Sequence, residues 1–386
     1  MSSFAVTLEQ VTVRPHPNAD RLELARVGLF DAVVGKGQFK TGEVVFYIPE
    51  QAVLPEALIR TLGLEGKLAG KAKNRVKAVK LRGVLSQGIV AKTEILQIHP
   101  ETEGYSEAMS AFHGCWDGTP PEFDFAPVLG IEKWEPELPL HMSGSVTHAN
   151  RLLPWIEIEN IKRFPDMFTE GDEVSVTEKL HGTCTLATVK LEQADNAYTV
   201  SDVMVTSKGF AKKNLALVED EGNLYWKAVN RFPVRELSLK AAEAFGNGME
   251  LESIGVYGET YGAGIQDLSY GATKNAFGFA VFDIFVKKAN GEGFWVPSKD
   301  VQALTKEVGI PVVPVLFEGS YNIEHIASIA SGKEQMSGTE ANLREGVVIR
   351  SANEEERIDA FGNGHRKIAK FVTEEYLTRK GGTEFQ

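Results

Sequence analysis

The sequence contains only two cysteines, Cys115 and Cys184, among 386 residues. Two cysteines cannot form a disulfide framework or a four-cysteine zinc site, and this scarcity is typical of a reducing compartment. The sequence also lacks a run of about 18 apolar residues, which excludes a membrane-spanning helix. Its N-terminus lacks the basic and apolar regions of a secretory signal, so we expect a cytoplasmic protein.

Positive charge is also scarce, because 41 Lys and Arg residues against 53 Asp and Glu residues give a net charge of −12. This balance argues against a protein that binds polyanions without specificity, although local patches matter more than the total. The sequence contains no Gly-x-x-x-x-Gly-Lys-Ser/Thr motif, which argues against a fused P-loop kinase.

One segment departs from this acidity, since residues 67–82 contain seven basic residues and no acidic ones. From Arg75 to Arg82, charged and apolar residues nearly alternate, which on a β-strand places several cations on one face. Such a row can follow a phosphate backbone, or it can be the solvated face of a strand. The candidate nucleic-acid contacts are Lys71, Lys73, Arg75, Lys77, Lys80 and Arg82.

The first 95 residues are typical of a small β-barrel or sandwich, because short β-branched or aromatic runs alternate with glycine turns. The pattern predicts strands at 26–30, 32–34, 44–48 and 89–91, and one helix at 55–63. Residues 96–150 are weakly patterned and contain clustered prolines, so we expect them to be irregular.

From about residue 151 the pattern changes to a mixture of strands and helices, which predicts an α+β domain built on antiparallel sheets. The predicted strands are 174–176, 185–189, 203–206, 255–258, 278–285 and 346–349, and the predicted helices are 214–230, 236–245 and 299–308.

The strongest chemical signal is the segment EKLHGT at 178–183, which places Lys179 in a turn between two strand-like runs. A nucleophilic lysine needs burial or neighbouring cations that favour its neutral amine, whereas an isolated lysine of this kind is typical of a surface turn. An ordered set of further motifs follows: Lys208 after a strand, Glu259 between glycines, the aromatic strand 279–285, Glu345 before an apolar strand, and Lys367 and Lys370.

Together these residues fit nucleotidyl transfer. The lysine would attack the α-phosphate of a nucleoside triphosphate, and the carboxylates would bind a divalent metal and the ribose hydroxyls. The terminal lysines would neutralise charge in the transition state, and an aromatic side chain would stack on the base.

In this order the motifs resemble those of the covalent nucleotidyltransferase superfamily, which comprises ATP-dependent polynucleotide ligases and RNA capping enzymes. Residues 33–37, 44–49 and 81–88 are similar to the N-terminal OB-like module of the fifth family of ATP-dependent RNA ligases. The resemblance implies an α+β nucleotidyltransferase with ATP-grasp-like antiparallel sheets, preceded by an all-β OB-like barrel. It implies an OB-like nucleic-acid-binding module at 1–125, a linker at 126–150 and the nucleotidyltransferase domain at 151–386.

The resemblance also implies roles for individual residues. Lys179 would be the adenylylated nucleophile, and Glu345 and Glu259 would bind metal, with Glu259 also near the ribose. Lys370 and Lys367 would bind the α-phosphate. The nucleotide pocket would further comprise Glu178, Leu180, His181, Gly182, Lys208 and the base-stacking Phe282, with Phe279 as the second choice for the stack.

Two positions depart from the superfamily pattern. His181 stands where many members carry Asp, and a neutral imidazole can form hydrogen bonds but cannot replace the charge of a carboxylate. Lys367 and Lys370 are three residues apart, where related ligases commonly have Lys-x-Lys. Residues three apart on a strand point to opposite faces, so we favour Lys370 as the phosphate contact.

The sequence therefore predicts an ATP-dependent RNA ligase that requires Mg²⁺ or Mn²⁺ and joins a 5′-phosphate end to a 3′-hydroxyl end. The expected partner is RNA or an RNA-containing nicked duplex, and the expected state is a monomer. Only sixteen residues follow Lys370, so we expect no C-terminal OB domain. The alternatives are an ATP-dependent DNA ligase, a capping guanylyltransferase and a non-catalytic RNA-binding protein with the same fold.

Overall fold

The computed structural model of the chain describes residues 4–98, 101–114, 123–135, 140–149, 151–155, 157–194, 197–246, 248–274, 276–358 and 364–382. Cys115 lies outside these residues. The chain divides into two compact units, of which the first is Met1–Glu135 with Glu159–Pro165 and the second is Pro136–Ile158 with Asp166–Gln386. The domain limits at residues 125 and 150 stay a prediction.

The elements up to residue 160 are mostly short strands. They are β1 (Thr7–Gln10), β2 (Thr12–Pro15), β3 (Leu22–Val27), β4 (Phe30–Gly35), β5 (Val44–Ile48), β6 (Ala52–Val53), β7 (Val79–Leu81), β8 (Val84–Ser86), β9 (Ile89–Ala91), β10 (Glu132–Lys133), β11 (Val146–His148) and β12 (Glu159–Asn160). The helices are α1 (Glu56–Thr61), α2 (Tyr105–His113) and α3 (Leu140–Ser143), with a 3₁₀ helix at Thr93–Ile98.

Strand β5 organises the core of the first unit. It pairs antiparallel with β1 and β9. Phe46 and Ile48 enter one hydrophobic cluster while Val45 and Tyr47 enter another, because successive side chains of a strand point to opposite faces. A strand covered on both faces has a continuous apolar sequence, which is what made β5 recognisable.

The strands of the first unit form the sheets β1-β5-β9, β2-β3-β4, β6-β10 and β7-β8. Among the residues that the structure describes, single hydrogen bonds but no strand ladder connect these sheets, such as that from the Val33 N–H to the Ser86 hydroxyl at 2.9 Å. The OB-like module is therefore not a closed barrel, and it also contains α1 and α2.

Two predictions in this unit are wrong. The single strand predicted at 26–30 is instead the end of β3, a turn at 28–29 and the start of β4. At this turn Gly28 has a φ of 57°, and a Cβ there would lie 2.6 Å from the carbonyl oxygen of Lys162. The weakly patterned region after residue 96 contains α2, whose Ala108 is buried in the core.

The second unit has longer strands. They are β13 (Glu173–Lys179), β14 (Thr183–Ala194), β15 (Ala197–Ser207), β16 (Leu215–Leu217), β17 (Leu251–Gly262), β18 (Phe277–Lys288), β19 (Gly293–Trp295), β20 (Val315–Ser320), β21 (Gly346–Ser351), β22 (Glu356–Ile358), β23 (Gly364–Arg366) and β24 (Ile368–Val372). The helices are α4 (Lys208–Ala211), α5 (Leu224–Arg231), α6 (Val234–Phe245), α7 (Ser298–Val308), α8 (Ile323–Ala330) and α9 (Glu374–Leu377), with a 3₁₀ helix at Pro165–Met167.

Two antiparallel sheets form the frame of the second unit. The larger has the order β11-β16-β15-β14-β17-β18-β19, and the smaller includes β24-β21-β13-β20. Helices α5, α6 and α7 cover one face of the larger sheet and bury its main core, in which Val256 and Leu237 are fully inaccessible to solvent. The predicted antiparallel α+β architecture is therefore confirmed. None of the described helices has the length and apolar character that a membrane span requires.

The helix predicted at 214–230 is wrong in its first half. Leu215–Leu217 forms strand β16, which pairs with β11 and β15. Helix α5 starts only after Asn223, whose side chain accepts hydrogen bonds from the backbone N–H groups of Tyr225 and Trp226. The polar segment between β16 and α5 provides this N-cap, which a continuous helix would not need.

Candidate active site

The turn 180–182 carries the chain from the smaller sheet to the larger one. Lys179 is the last residue of β13, and Thr183 begins β14. Gly182 is required at the crossing, because a Cβ there would lie 2.3 Å from the carbonyl oxygen of Thr260 on β17. The side chain of Gln266 donates a hydrogen bond of 3.0 Å to the carbonyl oxygen of Gly182 and fixes the turn.

Two carboxylates reach Lys179 from different sheets. Lys179 lies opposite Gly346 on β21, so the preceding Glu345 is adjacent, and its Oε1 is 2.7 Å from Lys179 Nζ. Glu259 on β17 lies opposite Cys184 on β14, and the thiol donates a hydrogen bond of 3.2 Å to its Oε2. The structure therefore brings together three of the predicted site residues.

Burial and charge act in opposite directions on these groups. Burial lowers the pKa of Lys179, but Glu345 and Glu259 outweigh it and raise the pKa above its usual value. Burial raises the pKa of Glu259 to about 7, although Lys179 opposes it. Lys179 is therefore an ammonium ion at pH 7 in the nucleotide-free protein, and it must lose a proton before it can act as a nucleophile.

His181 is buried within a network of hydrogen bonds. Its Nε2 is 2.8 Å from Oδ1 of Asp267, and its Nδ1 is 2.8 Å from the hydroxyl of Tyr376. Its backbone N–H donates to the hydroxyl of Tyr270 at 2.6 Å. Burial lowers the pKa of His181 below its usual value although Glu345 and Asp267 oppose this, so the ring is neutral at pH 7.

The partners of His181 were not identified from the sequence. Asp267 and Tyr270 lie in the loop between β17 and β18, whereas Tyr376 and Arg379 lie in and just after α9. Arg379 holds Asp267 through two charged hydrogen bonds, from Nε to Oδ2 at 2.8 Å and from Nη2 to Oδ1 at 2.9 Å. Isolated polar residues in loops carry no periodic signal, so only the fold reveals this network.

The side chains of Glu178 and Leu180 pack against other residues of the second unit. Leu180 packs in a hydrophobic cluster that includes Tyr376. Glu178 accepts a hydrogen bond of 2.7 Å from the backbone N–H of Gln335, and its Oε2 is 3.7 Å from Nε of Arg344. Burial raises the pKa of Glu178 to about 7 against the opposing effect of this hydrogen bond and of Arg344.

Lys208 begins α4, directly after β15. Its Nζ is 3.1 Å from Oε2 of the buried Glu157, which also pairs with Lys212. Burial raises the pKa of the Cys184 thiol well above its usual value, and the positive charge of Lys208 acts against this shift. Lys208 is thus electrostatically linked to the Lys179 site, while Glu157 balances its charge.

The two candidate aromatic residues differ in exposure. Phe279 is fully buried in the main core and stacks over Gly258, so it presents no surface to a base and the second choice is wrong. Phe282 is half-buried at a bulge of β18, and its carbonyl oxygen accepts a hydrogen bond of 2.7 Å from Arg350. Phe282 remains the candidate for stacking.

Lys367 and Lys370 also differ in position. Lys370 on β24 lies opposite Val348, which lies opposite Thr177 on β13, so these three residues share a face with Lys179. Lys367 pairs with Asp172, and its Nζ lies 5.4 Å from the ring centre of Phe168. This register agrees with our preference for Lys370.

The basic segment of the first unit forms less strand than predicted. Only Val79–Leu81 is in strand β7, and both terminal residues of β7 expose more than 40% of their surface. Arg75 stacks on the ring of Trp134, with its Cζ 3.8 Å from the ring centre. The predicted alternation holds only in part, since Val76 and Ala78 are buried whereas Val79 and Leu81 are exposed. The other candidates are exposed: Lys71, Lys73, Lys77, Lys80 and Arg82.

Replacing Glu178 with Gln should change how stability depends on pH. Burial raises the pKa of Glu178 from 4.5 to about 7, so between these values the folded protein binds more protons here than the unfolded chain. The wild-type free energy of unfolding must therefore lose a contribution as pH rises through this window. We expect Glu178→Gln to become steadily more stable relative to wild type from pH 4.5 to 7, measured by thermal unfolding.

The exposed Glu236→Gln is the matched control, because it removes a carboxylate from the surface of α6. Its stability difference from wild type over the same window is the baseline with which Glu178→Gln is compared. Parallel pH profiles for the two variants would contradict the assignment of a raised pKa to Glu178.

Comparisons with known proteins agree with this geometry. A family model described as RNA ligase matches residues 172–372, and one described as an OB-fold domain matches residues 5–93. A curated relative, the phenylalanine–tRNA ligase β subunit of Thermosynechococcus vestitus, is 28% identical over 138 residues. That match covers 36% of this chain and 14% of the relative, so the chain spans only a small part of its length.

Solved structures of Naegleria gruberi RNA ligase have the same fold. The structure with PPi is 21% identical, with a TM-score of 0.70 and 97% of each chain covered. A variant with ATP and Mn is 20% identical with a TM-score of 0.70, covering 97% of this chain and 98% of that one. A variant with AMP and Mn is 20% identical with a TM-score of 0.71 and the same coverage.

The likeness shows a nucleotidyltransferase-type fold preceded by an OB-fold domain. The RNA ligase model covers more than half of the chain and includes Lys179, Glu259, Glu345 and Lys370. This chain belongs to the RNA ligase family.

Proposed function

We propose that this protein is an ATP-dependent RNA ligase that works through a lysyl-AMP intermediate. The observation that carries the proposal is the cluster of the half-buried Lys179 with the buried Glu345 and Glu259 at the crossing between the two sheets. Family membership supports it, as do the ATP, AMP and PPi found with Naegleria gruberi RNA ligase.

The reaction would proceed in three steps. The deprotonated amine of Lys179 attacks the α-phosphorus of ATP, a P–N bond forms as the nitrogen releases a proton, and pyrophosphate leaves as the bond from the α-phosphorus to the bridging oxygen breaks. An oxygen of the 5′-phosphate end then attacks this phosphorus, and the P–N bond breaks as the lysine nitrogen takes up a proton. Finally the 3′-hydroxyl attacks the activated 5′-phosphorus and loses its proton, AMP leaves, and a phosphodiester forms.

A divalent cation, Mg²⁺ or Mn²⁺, fits the same cluster. Glu345 Oε2 is buried and accepts no hydrogen bond among the described residues, and Glu259 is buried beside it in the site. The described residues contain no group of three metal-binding side chains, so two carboxylates would be completed by phosphate oxygens and water, as Mg²⁺ prefers. When bound, the cation would offset phosphate charge. It would also neutralise charge on the two carboxylates, which would then raise the pKa of Lys179 less.

The other residues of the chain would position the nucleotide. Lys370 would contact the α-phosphate from the face that it shares with Lys179, and Phe282 would stack on the base. The exposed cations of the basic segment in the first unit would contact the phosphate backbone of RNA. Phosphate contacts of this kind position a nucleic acid without reading its sequence.

Incubation with α-labelled ATP and a divalent cation should label the protein covalently. We expect a label that survives denaturation, is released by acid as a phosphoramidate would be, and is absent from Lys179→Ala. α-Labelled GTP should give no label, which separates this reading from a capping guanylyltransferase. The absence of label from folded, AMP-free wild-type protein would instead favour a non-catalytic RNA-binding protein.

Lys370 and Lys367 should contribute unequally to this labelling. We expect Lys370→Ala to lower the labelling rate roughly 100-fold or more, because it removes a cation that faces the developing phosphate charge. The matched Lys367→Ala loses the pair with Asp172, so it should lower the thermal unfolding temperature and change the rate by less than about tenfold. The opposite ranking of the two rates would assign the phosphate contact to Lys367.

The polynucleotide preference can be measured at a nick. A nicked duplex with a ribonucleotide at the 3′-hydroxyl end should be sealed faster than the same nick made entirely of DNA. Both substrates carry the same 5′-phosphate, so the comparison isolates the sugar of the attacking end. Equal sealing of the two nicks would favour the DNA ligase reading.

A further inference from the structure

We infer that Tyr376 and Arg379, with Asp267, are positioning residues that hold His181 in one tautomer and so keep it from donating a hydrogen bond to Glu345. The inference rests on the proposed function for its catalytic consequence and on hydrogen-bond geometry for the tautomer. Tyr376 and Arg379 lie beyond residue 372, where the match to the RNA ligase family model ends.

The Nε2 side of the ring determines the tautomer. A carboxylate only accepts hydrogen bonds, so the 2.8 Å contact between Nε2 and Oδ1 of Asp267 requires the proton on Nε2. Arg379 Nη2 lies 3.3 Å from the same nitrogen, but it also donates to Oδ1 of Asp267 at 2.9 Å. Arg379 therefore orients the carboxylate and balances its charge.

The Nδ1 side favours the same tautomer through a separate contact. In a neutral ring with the proton on Nε2, Nδ1 is an acceptor, so the hydroxyl of Tyr376 donates to it at 2.8 Å. Without this donor, only Asp267 would hold the proton on Nε2. The Tyr376 ring meets the imidazole edge-to-face, with ring centres 5.2 Å apart. Both in-plane edges of His181 are thus committed to residues outside the Lys179 cluster.

This arrangement has a consequence for Glu345. Its Oε2 lies 3.8 Å from Nδ1 of His181 and accepts no hydrogen bond from the described residues. A proton on Nδ1 would attract this oxygen, and a hydrogen bond to Oε2 would form once the two atoms moved closer than their present 3.8 Å. By occupying Nδ1, Tyr376 leaves the buried oxygen available to a cation, as partners beyond the direct ligands do in metal sites.

The test is Tyr376→Phe, which removes the hydroxyl and keeps the aromatic packing. The first readout is the ¹⁵N spectrum of the histidine rings in protein free of nucleotide and metal, with the His181 signals assigned by their loss in His181→Asn. Wild type should show a protonated Nε2 and an acceptor Nδ1, and Tyr376→Phe should shift the Nδ1 signal. The second readout is the Mg²⁺ concentration for half-maximal labelling of Lys179. It should rise roughly 10-fold or more, because a ring without the Tyr376 donor also populates the form with its proton on Nδ1, which competes with the cation for Glu345.

Tyr257→Phe is the matched control, because Tyr257 is buried and its hydroxyl donates a hydrogen bond of 2.6 Å to the carbonyl oxygen of Pro154. It should leave the His181 signals and the Mg²⁺ midpoint unchanged at a comparable loss of thermal stability. Two variants of Arg379 test its role. Arg379→Ala loses both the charge and the bidentate contact with Asp267, whereas Arg379→Lys keeps the charge and loses only the bidentate contact. The Mg²⁺ midpoint of Arg379→Lys should therefore lie between those of wild type and Arg379→Ala.

A wild-type ring with its proton on Nδ1, or an unchanged Nδ1 signal in Tyr376→Phe, would overturn the inference. Equal shifts of the Mg²⁺ midpoint in Tyr376→Phe and Tyr257→Phe would also overturn it, since the effect would then be structural. The spectra need no ligase activity. A wild-type protein that shows the expected tautomer but takes no label would therefore contradict the proposed function and leave the tautomer assignment standing.

Discussion

The cluster of Lys179, Glu345 and Glu259 depends on two antiparallel sheets that are joined by the turn 180–182. The register of β13 against β21 sets Glu345 beside the lysine, and the register of β14 against β17 brings Glu259 from the other side. A slip of one residue in either pair would point the carboxylate to the opposite face. Gly182 permits the crossing because no Cβ fits against the backbone of β17 there.

The cluster is stable only as a set of compensating charges. Two buried carboxylates and one ammonium ion are each costly to desolvate. The lysine lowers this cost for both carboxylates, whereas the two carboxylates repel each other. The same balance fixes the resting state, since the carboxylates raise the pKa of Lys179 while burial lowers it. A site that binds phosphates and a cation can therefore change the protonation of its lysine without moving the backbone.

The local sequence pattern predicted those elements that are buried and therefore have a continuous apolar sequence. Strands β5 and β9 were located to the residue, because their apolar runs are bounded by turns. Errors arose where tertiary contacts override local preference: Leu215–Leu217 became a strand because β11 and β15 flank it. Phe279 and Phe282 lie three residues apart on β18 and so point to opposite faces of the strand, but only the packing of the helices decided which face is the core and which ring is half-buried.

The sequence by itself determined the order and chemical identity of the motif residues, including Lys179, Glu259, Glu345 and the two terminal lysines, since each lies in a short motif with its own strand or turn. The tertiary structure alone decided what surrounds His181, because its partners Asp267 and Tyr376 lie 86 and 195 residues away along the chain. Periodicity reports which face of an element is buried, but it carries no information about which distant side chain meets that face. Pairing of remote loops is fixed only when the sheets that carry them have packed.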